Sequence, residues 1–179
     1  VATSFILAAA ITLIPLGRLA DIYGRRSMFI YGALIFTVAS SFCILASTQS
    51  FLIAARALQG IGGAMIFSTG TAMLISAYPP GERGKILGIN ITAVYVGLTV
   101  GPFIGGMLTQ YLGWRYIFLF TVLLGITIFY ITLAMIAPDV PAGANEGFDL
   151  TGSLIYAIAL FSIMYGFSNL PALSAGFLI

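Results

Sequence analysis

Arg56 and Gln59 stand three residues apart in an otherwise apolar stretch. On a helix that spacing puts a permanent cation and an amide on one face, where they can share a hydrogen-bonded network. Within a bilayer an arginine costs roughly 2.5–3.5 kcal/mol at the centre on insertion scales, so it faces a water-filled cavity or a partner. Its alternative is to snorkel to the interface, because it lies about two turns from the outer end of its span. A second cluster is the run Gly17-Arg18-Leu19-Ala20-Asp21-Ile22-Tyr23-Gly24-Arg25-Arg26. Glycines there let the chain reverse closely, and Asp21 at a helix end can pair with a neighbouring cation or a helix N-terminus. The same charges could instead only anchor topology. A third pattern holds no titratable group: Gly88, Gly97, Gly101, Pro102, Gly105 and Gly106. Gly97, Gly101 and Gly105 recur every fourth residue and stack on one helix face, which admits another backbone, while Pro102 removes a helical hydrogen bond and invites a bend.

Much chemistry is excluded. The chain has no histidine and one cysteine, Cys43, set among apolar residues. An internal disulfide and a metal site of ordinary ligand spacing are therefore ruled out. No paired carboxylates fall within an apolar stretch, which makes a membrane enzyme the weakest reading. Seven basic and five acidic residues leave a net charge of +2, spread over the breaks between apolar runs rather than gathered as a nucleic-acid surface would require.

The elements that must position these residues are membrane spans. Apolar residues make up 60% of the chain and charged residues 7%, against roughly a quarter charged in a soluble domain. Runs of about 20 apolar residues recur with short polar breaks. They predict an all-α integral membrane fold with helices over residues 1–18, 27–47, 51–78, 86–110, 115–137 and 150–170, the third long and tilted. Transmembrane strands would alternate polar and apolar residues, and these runs are apolar all round. Residues 1–179 read as a single transmembrane domain. Val1 opens inside an apolar run, so the chain is expected to be part of a longer protein.

Arg18, Arg25 and Arg26 lie in the break at 17–27, and Arg83 and Lys85 in the break at 79–85. The opposite breaks, 47–50 and 110–115, hold Arg115 alone, so the positive-inside rule puts the first pair in the cytoplasm. The stretch 138–149 falls on that side too but carries Asp139, Glu146 and Asp149, acids that weigh little in the rule. Tyr23, Tyr78, Tyr111, Trp114 and Tyr116 fall near span ends, as an interfacial belt would.

The three patterns resemble signatures of the major facilitator superfamily, in the family's order and across nearly the whole chain. The first resembles the loop G-x-L-a-D-r-x-G-r-k between the second and third spans, matched at Gly17, Leu19, Ala20, Asp21, Gly24, Arg25 and Arg26, with Ile22 replacing a usual basic residue. The resemblance implies a latch on the cytoplasmic side in which Asp21 and Arg25 are gate candidates. The run from Arg56 through Gln59, Gly60, Gly62 and Gly63 resembles the fourth-span R-x-x-Q-G-x-G-G of proton-coupled members, whose arginine is proposed to assist proton transfer. Gly88 to Gly106 fills G-x8-G-x3-G-P-x2-G-G, the fifth-span antiporter signature, which goes with exporters more than with uptake symporters.

Gly113-Trp114-Arg115-Tyr116-Ile117-Phe118 is similar to the opening of the sixth span in drug exporters; physically Trp114 and Arg115 are interface anchors. Phe148-Asp149-Leu150-Thr151-Gly152 resembles the start of the seventh span in the fourteen-span drug and proton antiporter branch, as does the short link at 138–148. Asp149 reads on its own as a helix N-cap or first-turn acid. The resemblance implies spans two to seven of a multi-pass plasma-membrane transporter. It would export small lipophilic or cationic substrates against proton entry, with the proton gradient as energy source and no cofactor, and with substrate and the lipid bilayer, not nucleic acid, as partners. The alternatives are an uptake symporter for a metabolite and a non-transporting scaffold or sensor.

Overall fold

A computed structural model of the protein describes residues 2–136 and 147–176. These residues form six helices: α1 Ala2–Tyr23, α2 Arg25–Leu45, α3 Gln49–Ser76, α4 Arg83–Tyr111, α5 Arg115–Met135 and α6 Leu150–Gly176. The first five are long and apolar enough to cross a bilayer, and α6 carries a shorter apolar stretch, Leu150–Met164. Asp139 and Glu146 lie outside the described residues.

The helices start and stop where local chemistry tells them to. Thr48 caps α3, its Oγ1 accepting from the Phe51 amide at 3.3 Å. Asp149 caps α6 as expected, its Oδ1 accepting from the Gly152 amide at 2.8 Å. One boundary corrects the sequence reading. The run from Gly17 to Arg26 is not an open turn: α1 continues through Asp21 to Tyr23, α2 begins at Arg25, and Gly24 alone breaks the helix. Nothing between Gly17 and Tyr23 removes a backbone donor, so the helix propagates. It stops where Gly24 adopts φ 100°, a backbone region that strains any residue with a Cβ. Likewise α4 starts at Arg83, so Arg83 and Lys85 belong to its first turn.

α3 is the central helix, packed along α1 on one side and α2 on the other; α5 packs on the far side of α2, α6 touches α1, and α4 rests lightly on α3 and α5. Buried apolar positions are mostly alanines (Ala20, Ala33, Ala39, Ala46, Ala55, Ala64), and the largest fully buried side chains are Gln59, Thr69, Cys43 and Ser40. Lipid removes the hydrophobic driving force between helices, so close backbone approach and polar contacts hold them together instead. Gly62 shows the first effect. A Cβ there would lie 2.6 Å from the Phe36 backbone nitrogen and 2.9 Å from the Gly32 carbonyl oxygen, and one on Gly32 would lie 2.6 Å from the Met65 Cβ. Gly60 faces the other way, against the Phe5 carbonyl of α1, and Gly125 of α5 sits against Thr37 of α2. Hydroxyls within the spans return to their own helix: half-buried Thr37 donates to the Ala33 carbonyl at 2.7 Å, and buried Thr69 to Met65 at 2.6 Å and Thr132 to Ile128 at 2.8 Å.

Arginines tie α2 to α5 at both ends. These helices run antiparallel, and the last carbonyls of each lack intrahelical donors. Arg115, opening α5, donates to the Ile44 and Ala46 carbonyls at the end of α2 at 3.1 and 3.0 Å. Arg26, near the start of α2, donates to the Leu133 carbonyl at the end of α5 at 3.3 Å. Arg115 also stacks on the Trp114 ring, 4.4 Å from its centroid. Its interfacial position therefore adds a clamp to the anchor read from sequence. Replacing Arg115 with alanine should lower the apparent Tm of the detergent-solubilised protein by a few degrees, for a loss of about 1–2 kcal/mol. Lysine should restore only part of it, lacking the fork that reaches two carbonyls.

Candidate functional site

Arg56 emerges from α3 toward the junction of α1, α2 and α5, where it is half-buried. Its guanidinium carbon sits over the Phe5 ring of α1 at 4.6 Å and within 5.7 Å of the Phe118 ring centroid of α5. Both aromatic faces attract the cation. Arg56 Nη1 donates to Gln59 Oε1 at 2.6 Å, Gln59 Nε2 donates to Ser40 Oγ at 2.7 Å, and Ser40 Oγ donates to the Phe36 carbonyl at 2.7 Å. Gln59 is 1% exposed and Ser40 fully buried.

The cation sets the direction of this chain. A guanidinium can only donate, so the Gln59 amide must turn its oxygen toward Arg56, which leaves its NH2 for α2. Ser40 must then accept from that NH2 and spend its own proton on the Phe36 carbonyl. Every bond of the path from α3 to α2 is consistent with the positive charge at its head. Arg56 Nε is buried and makes no hydrogen bond among the described residues. The site can therefore hold a fixed, half-buried positive charge whose buried Nε is left unspent.

The second cluster lies at the opposite ends of these helices. Asp21 and Arg25 form a two-pronged ion pair across Gly24, with Arg25 Nε and Nη2 each 2.9 Å from Asp21 Oδ1. About a third of each side chain is exposed, so water screens the pair. Each charge also complements a helix end, Asp21 the N-terminus of α2 and Arg25 the C-terminus of α1. Gly17 contributes an ordinary contact, the position of its Cβ falling 3.5 Å from the Ser68 Cβ of α3.

The third pattern is not brought to either cluster. No atom of another helix comes within 4 Å of a Cβ at Gly88, Gly97, Gly101, Gly105 or Gly106 among the described residues, and α4 buries no residue. The expected close helix contact along that stripe is therefore absent from this part of the chain. Pro102 lies inside α4, which runs unbroken from Arg83 to Tyr111, so the bend it invites does not interrupt the helix. Residue spacing alone pointed to Arg56 and Gln59 but missed Ser40, Phe5 and Phe118, which belong to three other helices. The one available signal for Ser40 was a hydroxyl in an apolar run, shared with Ser41 beside it.

Comparison with known proteins places this arrangement. The profile of the Major Facilitator Superfamily matches residues 1–179. The chain is 31% identical over 157 residues to "Riboflavin transporter RibZ" of Clostridioides difficile, covering 88% of this chain and 34% of that protein. It is 33% identical over 166 residues to "Multidrug resistance protein Stp" of Mycobacterium tuberculosis, covering 92% and 31% respectively. Against "Tetracenomycin C resistance and export protein" of Streptomyces glaucescens it is 30% identical over 172 residues, covering 96% and 32%. The chain thus spans about a third of the length of these curated relatives.

Proposed function

The chain belongs to the major facilitator superfamily, a family of multi-pass membrane transporters, and from that premise we propose that the whole protein exports small lipophilic or cationic compounds across the cell membrane in exchange for protons. The observation that carries the export direction is the complete glycine and proline signature of α4, Gly88 to Gly106. Relatives named for multidrug resistance and for tetracenomycin C export support it. Substrate would bind between this half of the protein and a second repeat, and the halves would rock around it. Arg56, held by Gln59 and two aromatic rings, supplies a fixed charge in the membrane that a proton-binding group elsewhere in the protein can sense. Asp21, Arg25 and Arg26 act as the cytoplasmic latch.

The full-length protein in inside-out vesicles should concentrate a fluorescent lipophilic cation when a proton gradient is imposed and should stop when the gradient is collapsed. Accumulation that ignores the gradient would remove proton coupling from the reading. Asp21→Asn, which leaves Arg25 without its carboxylate, should raise the access of a membrane-impermeant thiol reagent to a cysteine placed at the cytoplasmic mouth. Unchanged access would reduce the pair to a topology anchor. The relative named as a riboflavin transporter favours a second reading, transport of a metabolite. Gradient-driven riboflavin movement into right-side-out vesicles, with no drug accumulation in inverted ones, would select it.

A further inference from the structure

A hollow of about 550 Å³ opens at the ends of α2, α3, α4 and α5 that the basic residues assign to the cytoplasm, lined by Phe29, Gly70, Met73, Leu74, Ala77, Asn90, Met135 and Ile136. Its size falls within the roughly 300–1,000 Å³ of small-molecule sites, and like them it is apolar with one well-placed polar group. That group is Asn90. Its carboxamide is half-buried and hydrogen-bonds no other group among the described residues, so it is free to bond a ligand in the hollow. Met73, Met135 and Phe29 give a polarizable lining that adapts to varied shapes. Among the described residues no charged side chain lines the hollow. Its walls start at helix ends, at Ala77 and Met135, and reach Asn90, seven residues into α4. That is a depth of roughly 10 Å at 1.5 Å per residue, where amphiphiles collect in the inner leaflet.

We infer that this hollow is a binding site for an uncharged lipophile carrying a hydrogen-bonding group, captured from the cytoplasmic leaflet and oriented by Asn90. It lies within one half of the transporter and not between the two halves. It therefore goes beyond the export reading, and it holds whichever way the protein transports.

Benzophenone tests this on the full-length protein in lipid nanodiscs. It is uncharged, and its carbonyl can accept from Asn90 Nδ2. Under ultraviolet light that carbonyl takes a hydrogen from a nearby C–H bond, most readily one beside a methionine sulfur, and the two radicals join. Mapping the adducts by mass spectrometry should find Met73, which is only partly exposed, labelled well above Met107, an exposed methionine near the other end of α4. Leu74→Trp, which fills the hollow, should bring the Met73 adduct down to the Met107 level. Asn90→Leu, which keeps the helix and the volume, should weaken half-saturation of labelling about tenfold, the equivalent of one lost hydrogen bond. Labelling at Met73 no higher than at Met107, or indifferent to both substitutions, would mean bulk partitioning into lipid and overturn the site. Absence of adducts in a monodisperse protein would overturn it too, because another part of the chain would then fill the hollow. Neither result depends on measuring flux, so the export reading stands or falls separately.

Discussion

Gly62→Val is expected to prevent α2 and α3 from docking and to leave little monodisperse protein after detergent extraction. The Cβ alone would stand 2.6 Å from a backbone nitrogen and 2.9 Å from a backbone carbonyl. Backbone cannot rotate away as a side-chain tip can. Restoring ordinary contact at about 3.4 Å requires the two helices to part by close to 1 Å along their crossing, and valine adds two more methyls to the gap. Overpacking of this kind costs about 3 kcal/mol or more when the neighbour is rigid. Parting the helices also stretches the Gln59–Ser40 bond, now 2.7 Å, and so exposes a buried amide to loss of its partner. Thermal scans followed by size-exclusion chromatography of a fluorescent fusion give the measurement. Gly63→Ala is the control, its Cβ meeting only side-chain rings, Phe5 at 3.4 Å and Phe36 at 3.9 Å. A Gly62→Val protein as stable as the Gly63→Ala protein would show that the α2–α3 crossing is looser than described. Gly101→Ala adds information of another kind. It should be silent in the chain as described, where nothing lies within 4 Å, and destabilising in the full-length protein if a further helix packs on that stripe.

Arg56→Ala in the full-length protein should abolish gradient-driven substrate accumulation while leaving expression and the elution profile near those of wild type. The substitution removes the charge from between Phe5 and Phe118 and strands the Gln59 oxygen that faced it. Two energetic terms oppose each other. A hydrogen bond to a charged group is worth about 1.5–3 kcal/mol and each cation–π contact about 0.5–2, while a desolvated arginine no longer has to be held in the membrane. The fold should therefore tolerate the change better than the transport cycle does. Lysine offers a finer comparison: it keeps the charge but cannot bond Gln59 and cover two rings at once, so it should recover part of the transport. Transport unaffected by alanine would assign Arg56 to packing alone. Equal losses of transport and of folded protein would point to the same conclusion.

Much of this could be read from residue order. The all-α membrane character follows from long apolar runs, because a bilayer obliges each spanning segment to satisfy its own backbone. The family follows from three motifs whose glycine, proline and arginine positions are local in sequence. Asp149 as a cap and the Asp21–Arg25 pair were legible for the same reason: each partner lies within four residues. The start of α2 and the length of α1 were not, since helix propagation through Asp21 depends on one backbone angle at Gly24 and not on the polarity of the run.

Contacts between distant residues were decided only by tertiary structure. Ser40 joins Gln59 across 19 positions, Arg115 reaches Ile44 across 71, and Arg26 reaches Leu133 across 107. Apolar helices in lipid carry almost no amphipathic signal to say which face meets which neighbour, because lipid and protein are equally apolar surroundings. Pairing falls instead to small residues and single polar groups, whose partners are chosen by three-dimensional packing. The hollow around Asn90 follows from the same fact: it is made by the ends of four helices, none of which records the other three in its own sequence.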